Sequence, residues 1–319
     1  MIKESLRKEP LISICILNYN WKNRLQKVIP SILSQKYSNS EILLLDNWST
    51  DNSLDYISQF NEIKIIRSST NLWTSWWRNK LSNYAKWDYL LFIDNDIELT
   101  SKYFVADMIN MYIALKKVNI WVIVPIVKTI DEEIYCEAWL YYNKIVRENF
   151  KDIYRKWYIK KPGFAAGVFF IEKKIFINLW RFDEKYPYNM DDNDFSMRLY
   201  TRWYSIYVNT NQYVIHHWIE TRTTPKLIWR RHQYYFCGLM RALLKNYRVK
   251  NLLIWCPIIL GQSCIKACKL SIIYKSILPL KWFFISVKTF FIDLKDTLRK
   301  RSYIQSTREE EEDIFLKIE

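Results

Sequence analysis

The stretch DYLLFIDND (residues 88–96) decides the fold, because a short apolar run ends abruptly in two aspartates. Such a run, bounded by polar residues, is typical of a strand that is buried on both faces of a sheet. Working outward, LISICIL (11–17), EILLLD (41–46) and IKIIR (63–67) are similar runs, and segments with helical periodicity separate them. This β-α-β-α order predicts an α/β fold with a doubly wound, mostly parallel sheet that binds ligands at the carboxyl ends of its strands.

The rest of the pattern extends this sheet and then becomes helical. The predicted helices are 24–36, 52–60, 75–86, 101–115 and 193–202, and the further strands are 121–127, 163–172 and 204–209. Beyond Pro225 the periodicity is helical to the end. We therefore predict one sheet domain at 1–224 and a C-terminal helical region at 225–319.

Composition limits the class of protein and of partner. Half of the 319 residues are apolar and a quarter are charged, which is typical of a globular chain. The net charge of +15 favours an anionic partner, either nucleic acid, an acidic membrane surface or a phosphorylated ligand. The first ten residues lack the apolar core of a signal peptide, and the six cysteines form no C-x-x-C pair, so we expect a reduced, cytoplasmic location.

Polar clusters follow the predicted strands. They are NYNWKN (18–23), DNWSTDNS (46–53), FIDND (92–96) and NMDDNDFSMRL (189–199), with the pair His216–His217 some distance later. Because the strand-end loops of an open α/β sheet converge, we expect the first three clusters to face a single crevice.

The acids in these clusters suit a diphosphate ligand. Asp94 and Asp96, held by a strand end, can offer hard oxygen ligands to Mg²⁺ or Mn²⁺. A neutral imidazole in the shell would favour manganese somewhat, and the metal would neutralise a leaving diphosphate. A further carboxylate outside the shell could act as general base toward an incoming hydroxyl.

Each cluster also has a purely structural interpretation. A D-x-D triplet often forms a solvated turn, and the acids of NMDDND could simply offset the dipole of a helix N-terminus. The two histidines could fill a core or surface position, and the acidic run from Glu309 to Asp313 is expected to be a solvated tail.

Taken together, the order and spacing of the motifs resemble the family 2 glycosyltransferases, which have the GT-A fold. The resemblance runs from about Leu11 to about Lys245. The matched segments are the NYN motif (18–20), the D-[DN]-G-S-T-D motif (46–51), the N-x-G-x-x-x-x-R-N segment (71–79), the D-x-D pair Asp94 and Asp96, the E-D-x-D-x-x-x-R motif (191–198, with Asp191 in place of Glu) and the late His216.

The resemblance implies a donor site near the first two motifs. Tyr19 would stack on the pyrimidine base, and Asp46 and Asn47 would hydrogen-bond the nucleoside. Many members have Asp where Asn47 stands, but an Asn carbonyl can still accept a hydrogen bond from a pyrimidine N3–H. The DN form of the second motif is a weak indication of a dTDP-sugar rather than a UDP-sugar.

The same resemblance implies the reaction centre. Arg78 would lie near the diphosphate, and Asp94, Asp96 and His216 would hold Mg²⁺ or Mn²⁺. Asp192 would be the general base that deprotonates the acceptor hydroxyl, which gives inversion at the anomeric carbon.

We therefore predict an inverting, metal-dependent glycosyltransferase that moves a sugar from a nucleotide-diphosphate donor to a hydroxyl of a glycan or lipid-linked acceptor in cell-surface polysaccharide synthesis. One alternative is a weak or inactive relative that binds the nucleotide-sugar without turnover. Another is a basic nucleic-acid-binding protein, but the sequence lacks an RNP, zinc-finger or helix-turn-helix signature. We therefore expect no nucleic acid partner.

The C-terminal stretch 252–294 combines apolar residues with spaced lysines. Its lysines interrupt every run of about 18 apolar residues, so we do not expect a conventional transmembrane helix. The pattern suits helices that lie on an anionic membrane, which predicts peripheral contact at the inner face of the cell membrane. An ordinary helical subdomain packed on the catalytic core is the alternative.

The chain has only 4 glycines and as many as 15 tryptophans. Ordinary usage of roughly 7% predicts about 22 glycines, and the two counts together come close to that number. Nine tryptophans stand where the family commonly has glycine, and these are Trp21, Trp48, Trp73, Trp76, Trp77, Trp87, Trp180, Trp203 and Trp218. Some bacterial lineages read UGA as glycine, so our hypothesis is that most of these residues are glycines in the organism. The alternative is a genuinely Trp-rich member.

Overall fold

The computed structural model describes residues 9–116, 120–130, 158–161, 163–164, 167–186, 190–217, 225–310 and 313. Within these residues a nine-stranded mixed sheet has helices on both faces. The strands are β1 Ile12–Asn18, β2 Ser40–Asp46, β3 Ile63–Arg67, β4 Tyr89–Ile93, β5 Ile97–Leu99, β6 Ile120–Thr129, β7 Tyr158–Lys161, β8 Val168–Glu172 and β9 Ser205–His216. The helices are α1 Lys22–Leu33, α2 Ser53–Ile57, α3 Thr74–Tyr84, α4 Phe104–Leu115, α5 Lys173–Asn178, α6 Asp191–Tyr200, α7 Pro225–Asn246, α8 Val249–Ile273, α9 Leu278–Ile292 and α10 Leu294–Ser306.

The amino-terminal strands of the sheet run parallel to one another. Its order is β3-β2-β1-β4-β8-β6-β9-β5, and β7 also pairs with β9. Strands β3, β2, β1 and β4 run parallel, so their carboxyl ends share one edge. Strands β5, β7 and β8 are antiparallel to their neighbours, while β6 and β9 are parallel to each other. The predicted α/β fold with a mostly parallel sheet and a C-terminal helical region is confirmed.

Alternating side chains of the strands build a hydrophobic core on each face of the sheet. In β4, Leu90 and Phe92 join a core with α3, α5, α6 and α7, while Leu91 and Ile93 join a core with α1, α2 and α4. Because successive residues of a strand point to opposite faces, a run that is apolar throughout serves both cores. This explains why the strands read as continuous apolar stretches.

The sequence prediction and the structure differ in the short elements. Strand β3 has the predicted bounds, whereas the strand predicted at 163–172 is confined to Val168–Glu172 and the helix predicted at 52–60 to Ser53–Ile57. Strands β5 and β7 and helix α5 were not predicted, because three to six residues are too few for a period to be recognised. The predicted boundary at 224 and 225 follows residues outside the described ones, and the division into two domains stays a prediction.

The C-terminal helices pack onto the sheet domain in layers. Helix α7 contacts α6, α9 and α10 contact α7, and α8 contacts α9. Between α7 and the loop after α5, the Asp183 carboxylate accepts hydrogen bonds from Arg241 (2.9 Å), Lys245 (2.6 Å) and Lys300 (2.6 Å). Lys245 also contacts Asp194 of α6 at 2.7 Å. Buried ion pairs thus join the C-terminal helices to α6.

Two expectations about the C-terminal region need correction. Glu310 and Asp313 are buried rather than solvated, because Asp313 accepts hydrogen bonds from Arg308 (2.6 Å) and the Arg248 backbone (2.9 Å). Among the described residues, α8 is also long and apolar enough to cross a membrane, by length and composition only.

Candidate active site

The first two polar clusters meet at the carboxyl ends of the adjacent strands β1 and β2. Asn18 and Asp46 are register partners at the last position of each strand. The buried Asn18 amide donates hydrogen bonds to Asp46 Oδ1 (2.9 Å) and to Ser53 Oγ (2.8 Å). Tyr19 follows directly and is half-buried. The loop after β2 is therefore fixed from inside by an amide of β1, as the convergence of strand ends predicts.

Asn47 holds the segment before α3 to the end of β2. Its Nδ2 donates to Asn71 Oδ1 (3.0 Å) and to the Leu72 carbonyl (2.7 Å), and its Oδ1 accepts from the Leu72 N–H (2.6 Å). Both amide hydrogens are thereby used. The carbonyl oxygen has a second lone pair, so toward a nucleobase Asn47 has the capacity to accept and not to donate.

Asp94, directly after β4, is held by Arg78 of α3. The Arg78 guanidinium donates to Asp94 Oδ1 (3.0 Å) and lies 3.6 Å from Asp191 Oδ2. Ser75 of the same helix donates to Asp191 Oδ2 at 3.2 Å. The arginine is buried, so its charge acts in a medium where charge pairs are strong. Helix α3 thus joins the strand-end aspartates to the first residue of α6.

Asp96 is held by a second arginine and by a histidine. The Arg24 guanidinium of α1 donates to Asp96 Oδ2 at 3.0 Å, and His216 Nε2 lies 3.2 Å from the same oxygen. His216 is the last residue of β9, whose pairing with β5 brings it beside the D-x-D turn. The next residue, His217, lies 2.6 Å from Glu98. The two histidines therefore contact two acids on either side of the start of β5, Asp96 before the strand and Glu98 within it.

The two aspartates differ in electrostatic environment. Burial raises the pKa of Asp94 to about 6, and the Asp96 charge adds to the rise, although Arg78 opposes it. Burial also acts to raise the pKa of Asp96, but hydrogen bonding and charge from His216 and Arg24 outweigh it and lower the pKa. Burial likewise raises the pKa of Asp191 against the opposing charge of Arg78. Adjacent acids with pKa values moved apart are typical of functional sites.

Asp192 lies in the first turn of α6, at the same edge of the sheet domain. Its Oδ1 accepts hydrogen bonds from the Asn193 backbone (2.8 Å) and side chain (3.0 Å), and it is half-buried between the buried Asp191 and Asn193. The dipole interpretation of this acidic cluster also holds, since Asp191, Asp192 and Asp194 all fall in the first helical turn. The two interpretations are compatible, because a helix N-terminus favours an ionised carboxylate.

The predicted metal ligands have suitable chemistry but are only partly assembled. A carboxylate and an imidazole, Asp96 and His216, lie together, and such oxygen and nitrogen donors suit Mn²⁺ or Mg²⁺. Asp94 faces Arg78 instead. Within the described part of the chain, no group of three or more His, Cys, Asp or Glu side chains is gathered to hold a metal ion. The cations Arg24 and Arg78 now neutralise the acids that a metal would neutralise.

The structure thus brings together most of the residues singled out in the sequence. At or shortly after the carboxyl ends of strands lie Tyr19, Asp46, Asn47, Asp94, Asp96 and His216. Arg78 of α3 contacts Asp94 and Asp191, and Asp192 follows Asp191 in α6. Arg24 was not predicted. A lone arginine in an amphipathic helix has the pattern of a surface residue, and the only signal of a site contact was its place directly after NYNWKN (18–23). The individual roles of these residues stay predictions.

This fold, with acids at the carboxyl ends of parallel strands, defines the class of α/β domains that carry a ligand site at this edge of the sheet. The model of the family described as "Glycosyl transferase family 2" matches residues 13–180, which is just over half of the chain. The chain therefore belongs to glycosyl transferase family 2. The matched range ends before α6, so Asp192 and His216 lie beyond it.

Several known proteins are similar to parts of the chain. The Escherichia coli protein WfaP, a UDP-Glc:α-D-GlcNAc-diphosphoundecaprenol β-1,3-glucosyltransferase, is 36% identical over 88 residues, which cover 27% of this chain and 35% of WfaP. WfgD of Escherichia coli, which has the same described activity, is 28% identical over 111 residues, or 34% of this chain and 42% of WfgD. The chain thus spans less than half the length of these relatives.

A solved structure supports the fold. The crystal structure of GalNAc-T7 with UDP, GalNAc and Mn²⁺ superimposes with a TM-score of 0.58 at 18% identity, over 74% of this chain and 50% of that one. Identity at this level indicates a shared fold and nothing finer. The prediction of a GT-A fold is confirmed.

Proposed function

We propose that this protein transfers a sugar from a nucleotide-diphosphate donor, a dTDP- or UDP-sugar, to a hydroxyl of a glycan or lipid-linked acceptor in cell-surface polysaccharide synthesis. The observation that carries the proposal is the pairing of Asp94 and Asp96 with two arginines at the carboxyl ends of parallel strands. Acids and guanidinium groups gathered at this edge suit a diphosphate and a divalent cation together. WfaP and WfgD, whose names give a diphosphoundecaprenol acceptor, support the lipid-linked alternative.

The donor would lie across the ends of β1, β2 and β4. Tyr19 would stack on the base, Asp46 would bind the nucleoside, and Asn47 would accept from the base through its remaining lone pair. Arg78 and Arg24 would turn from the aspartates toward the diphosphate oxygens, for which a guanidinium is a good planar partner. The ion pairs between these arginines and the aspartates would thereby be replaced by ion pairs between the arginines and the diphosphate.

Asp94, Asp96 and His216 would hold Mn²⁺ or Mg²⁺. The ion would supply Lewis-acid neutralisation of the leaving diphosphate. Asp192, at the N-terminus of α6, would accept the proton of the acceptor hydroxyl as the oxygen attacks, so the configuration at the anomeric carbon would invert. Asn193 fixes the orientation of the Asp192 carboxylate through its backbone and side-chain hydrogen bonds.

A second candidate is a relative that binds the donor without turnover. The observation in its favour is that arginines, not a gathered ligand set, now hold both D-x-D acids. Release of free sugar or transfer to an acceptor separates the two candidates.

The test is a transfer and hydrolysis assay with UDP-, GDP- and dTDP-sugars in the presence of Mn²⁺. We expect turnover with one uridine or thymidine donor, a product of inverted configuration by NMR, and a loss of about 10²–10⁴-fold in Asp192→Asn. Asp55→Asn, an exposed acid of α2, is the matched control and should retain activity. Turnover that is equal in Asp192→Asn and the wild type would exclude the assigned base, and no turnover with any donor would favour the second candidate.

A further inference from the structure

The outer surface of α8 and α9 is unusually apolar for a surface in contact with water. Of the 26 large apolar side chains that are exposed in the described part of the chain, 14 lie between Val249 and Ile292. Monomeric soluble proteins rarely expose contiguous apolar patches larger than a few hundred Å². We call the exposed face of α8 and α9 the apolar surface.

Helix α8 is apolar on both of its sides. Ile259 and Ala267 are buried toward the rest of the protein. On the opposite side an exposed stripe recurs at spacings of four and three residues, through Ile254, Ile258, Gly261, Ile265, Cys268 and Ile272. This spacing keeps all six residues on one helical face. A helix that is apolar all round belongs in a protein core or in a membrane, and α8 is mostly not buried.

The charges around the apolar surface indicate which kind of partner is complementary to it. Residues 249–292 contain six lysines and no acidic residue. Lys266 and Lys269 each follow a stripe residue, so both lie on the same flank of the stripe. A second copy of the chain would bring an equally basic surface and be repelled, whereas an anionic lipid surface is complementary.

The packing of α8 favours a position in the membrane interface rather than across the bilayer. Helix α8 lies against α9, and α9 against α7, where Phe236 and Phe283 are in contact with ring centroids 5.4 Å apart. Helix α9 has 15 residues, fewer than the ~20 that a span requires. Helix α7 carries the buried Arg241 and Lys245, which are held by Asp183. If α8 crossed the bilayer, it would therefore have to separate from α9, or α9 and the charged residues of α7 would have to enter the lipid with it.

We propose that the apolar surface docks on an anionic lipid bilayer, with the outward stripe of α8 and the exposed phenylalanines Phe284 and Phe291 of α9 inserted at the headgroup boundary and the lysines on the lipid phosphates. Docking would bring the protein to a lipid-linked acceptor, and only this link to the acceptor rests on the proposed function. Vesicle binding is measured without donor or acceptor, so the two proposals can fail separately.

The test is co-sedimentation of the full chain with vesicles of phosphatidylglycerol and phosphatidylcholine, compared with pure phosphatidylcholine. We expect binding to the anionic vesicles that weakens with salt, and about tenfold weaker partitioning in Ile258→Ser/Ile265→Ser. The control Ile113→Ser/Ile177→Ser changes exposed isoleucines elsewhere and should bind normally. Lys266→Glu/Lys269→Glu should lose the preference for anionic lipid, and Lys27→Glu/Lys86→Glu should not.

Three results would overturn the docking proposal. The first is failure to bind either vesicle at low salt. The second is self-association that Ile258→Ser/Ile265→Ser abolishes, which would make the apolar surface a protein interface. The third is resistance of the bound protein to alkaline extraction, which would indicate a spanning helix.

A separate observation concerns the backbone. Eight non-glycine residues have positive φ among those described, and three of them are tryptophans: Trp48 (φ 69°), Trp180 (φ 63°) and Trp203 (φ 62°). For a bulky residue this left-handed conformation is a genuine outlier. None of the glycines in the described ranges has positive φ. The residue type that suits this conformation is thus absent where the backbone needs it.

Trp180 and Trp203 occupy the position after a helix where glycine is most favoured. After α5, the Trp180 N–H donates to the Ile177 carbonyl (2.8 Å) and the Arg181 N–H to the Phe176 carbonyl (2.8 Å). This pair of bonds is the Schellman motif, with Trp180 at its left-handed position.

The same motif recurs after α6. There the Trp203 N–H donates to the Tyr200 carbonyl (3.2 Å) and the Tyr204 N–H to the Leu199 carbonyl (3.0 Å). All three tryptophans are about half exposed, at 47% to 55%. Trp180 stacks on Tyr303, and Trp203 donates to the Glu309 carbonyl, but neither fills a core.

We infer that positions 48, 180 and 203 carry glycine in the protein as its own cells make it. The other described tryptophans named above are not assigned by this observation, since Trp21 (φ −136°) and Trp73 (φ −71°) have backbones that any residue adopts. This inference depends on backbone geometry alone and is independent of the docking proposal.

Peptide mass spectrometry of the protein from its native cells tests the inference directly. We expect glycine at all three positions, and tryptophan there, encoded by UGG, would overturn it. In the recombinant chain, Trp180→Gly should raise the midpoint of thermal unfolding by about 1–3 °C relative to Trp180→Ala, which keeps the Cβ and the strain. Equal midpoints for the two variants would contradict the proposed strain.

Discussion

Two clusters of paired acidic and basic side chains contain the same residue types but differ in how far they are exposed to solvent. At the strand ends, Arg24 and Arg78 hold Asp96 and Asp94, whose side chains remain 18% and 29% exposed. Behind α6, Arg241 and Lys245 hold Asp183, whose side chain is 4% exposed. We call these the open cluster and the sealed cluster. The open cluster can exchange its partners with a ligand, whereas the sealed cluster can only hold the protein together.

The sealed cluster positions the site from behind. Lys245 of α7 lies between Asp183 and Asp194, at 2.6 Å and 2.7 Å, and Asp194 also accepts from Arg198 of α6 at 3.0 Å. Asp194 lies two residues after Asp192 in α6. The ion pairs that attach the C-terminal helices therefore also fix the helix that carries the proposed base.

The largest expected effect comes from removing an acid of the open cluster. Asp96→Ala should lower sugar transfer on the order of 10³-fold, because the metal and its neutralisation of the diphosphate would be lost. The free energy of unfolding should fall less than when the sealed cluster is broken, since the Asp96 side chain is 18% exposed and the Asp183 side chain is 4% exposed. Transfer rates and chemical denaturation of the same preparations measure both effects. If Asp96→Ala lowered the free energy of unfolding but left the transfer rate unchanged, the distinction between the open and the sealed cluster would be contradicted.

Breaking the sealed cluster should have the opposite signature. Lys245→Met should lower the free energy of unfolding by about 3 kcal/mol, because it leaves buried Asp183 and Asp194 without a central cation. Urea denaturation gives the value. Arg299→Ala, which removes an exposed ion pair with Asp296, is the control and should cost less than about 1 kcal/mol. A Lys245→Met protein as stable as Arg299→Ala would show that the sealed cluster does not carry the packing of α7.

Acid should weaken the sealed cluster through Asp183. Burial opposes ionisation of Asp183, but Lys245, Arg241 and Lys300 outweigh it and hold its pKa far below the ordinary value. A carboxyl whose folded pKa is depressed contributes stability above its unfolded pKa, and this is lost as the pH falls below about 4. Between about pH 5 and pH 3 the wild type should lose about 1 kcal/mol more than Asp183→Asn. Parallel pH dependences of the two proteins would contradict this assignment.

The smallest expected effect is a change in metal affinity, and it tests the role of Arg24. Arg24→Met removes a positive charge 3.0 Å from Asp96, so Mn²⁺ should bind on the order of tenfold more tightly, while the nucleoside diphosphate should bind more weakly. Calorimetric titration of the metal alone and of the nucleotide with metal measures the two affinities separately. Arg78→Lys keeps a charge at the other aspartate and is the matched comparison. Weaker metal binding in Arg24→Met would show that Arg24 supports the ligand set instead of competing with it.

The parts of the fold that were predictable from sequence are those with local periodicity. The runs at 11–17 and 63–67 alternate between two cores, so their pattern and the motifs after them indicated a parallel sheet and its ligand edge. Arg24, Asp183 and Lys245 gave no comparable signal, because each is a single charge whose partner is distant in sequence. Burial of such charges depends on packing between elements that no local pattern describes.

The measurement that tests the central claim most directly is calorimetric titration of UDP and dTDP into the protein with and without Mn²⁺. The account predicts that one of these nucleotides binds, that Mn²⁺ strengthens the binding, and that Asp94→Asn and Asp96→Asn abolish the effect of the metal while Asp55→Asn retains it. Nucleotide binding that is the same with and without Mn²⁺, and the same in all three variants, would contradict a donor site at the ends of β1, β2 and β4.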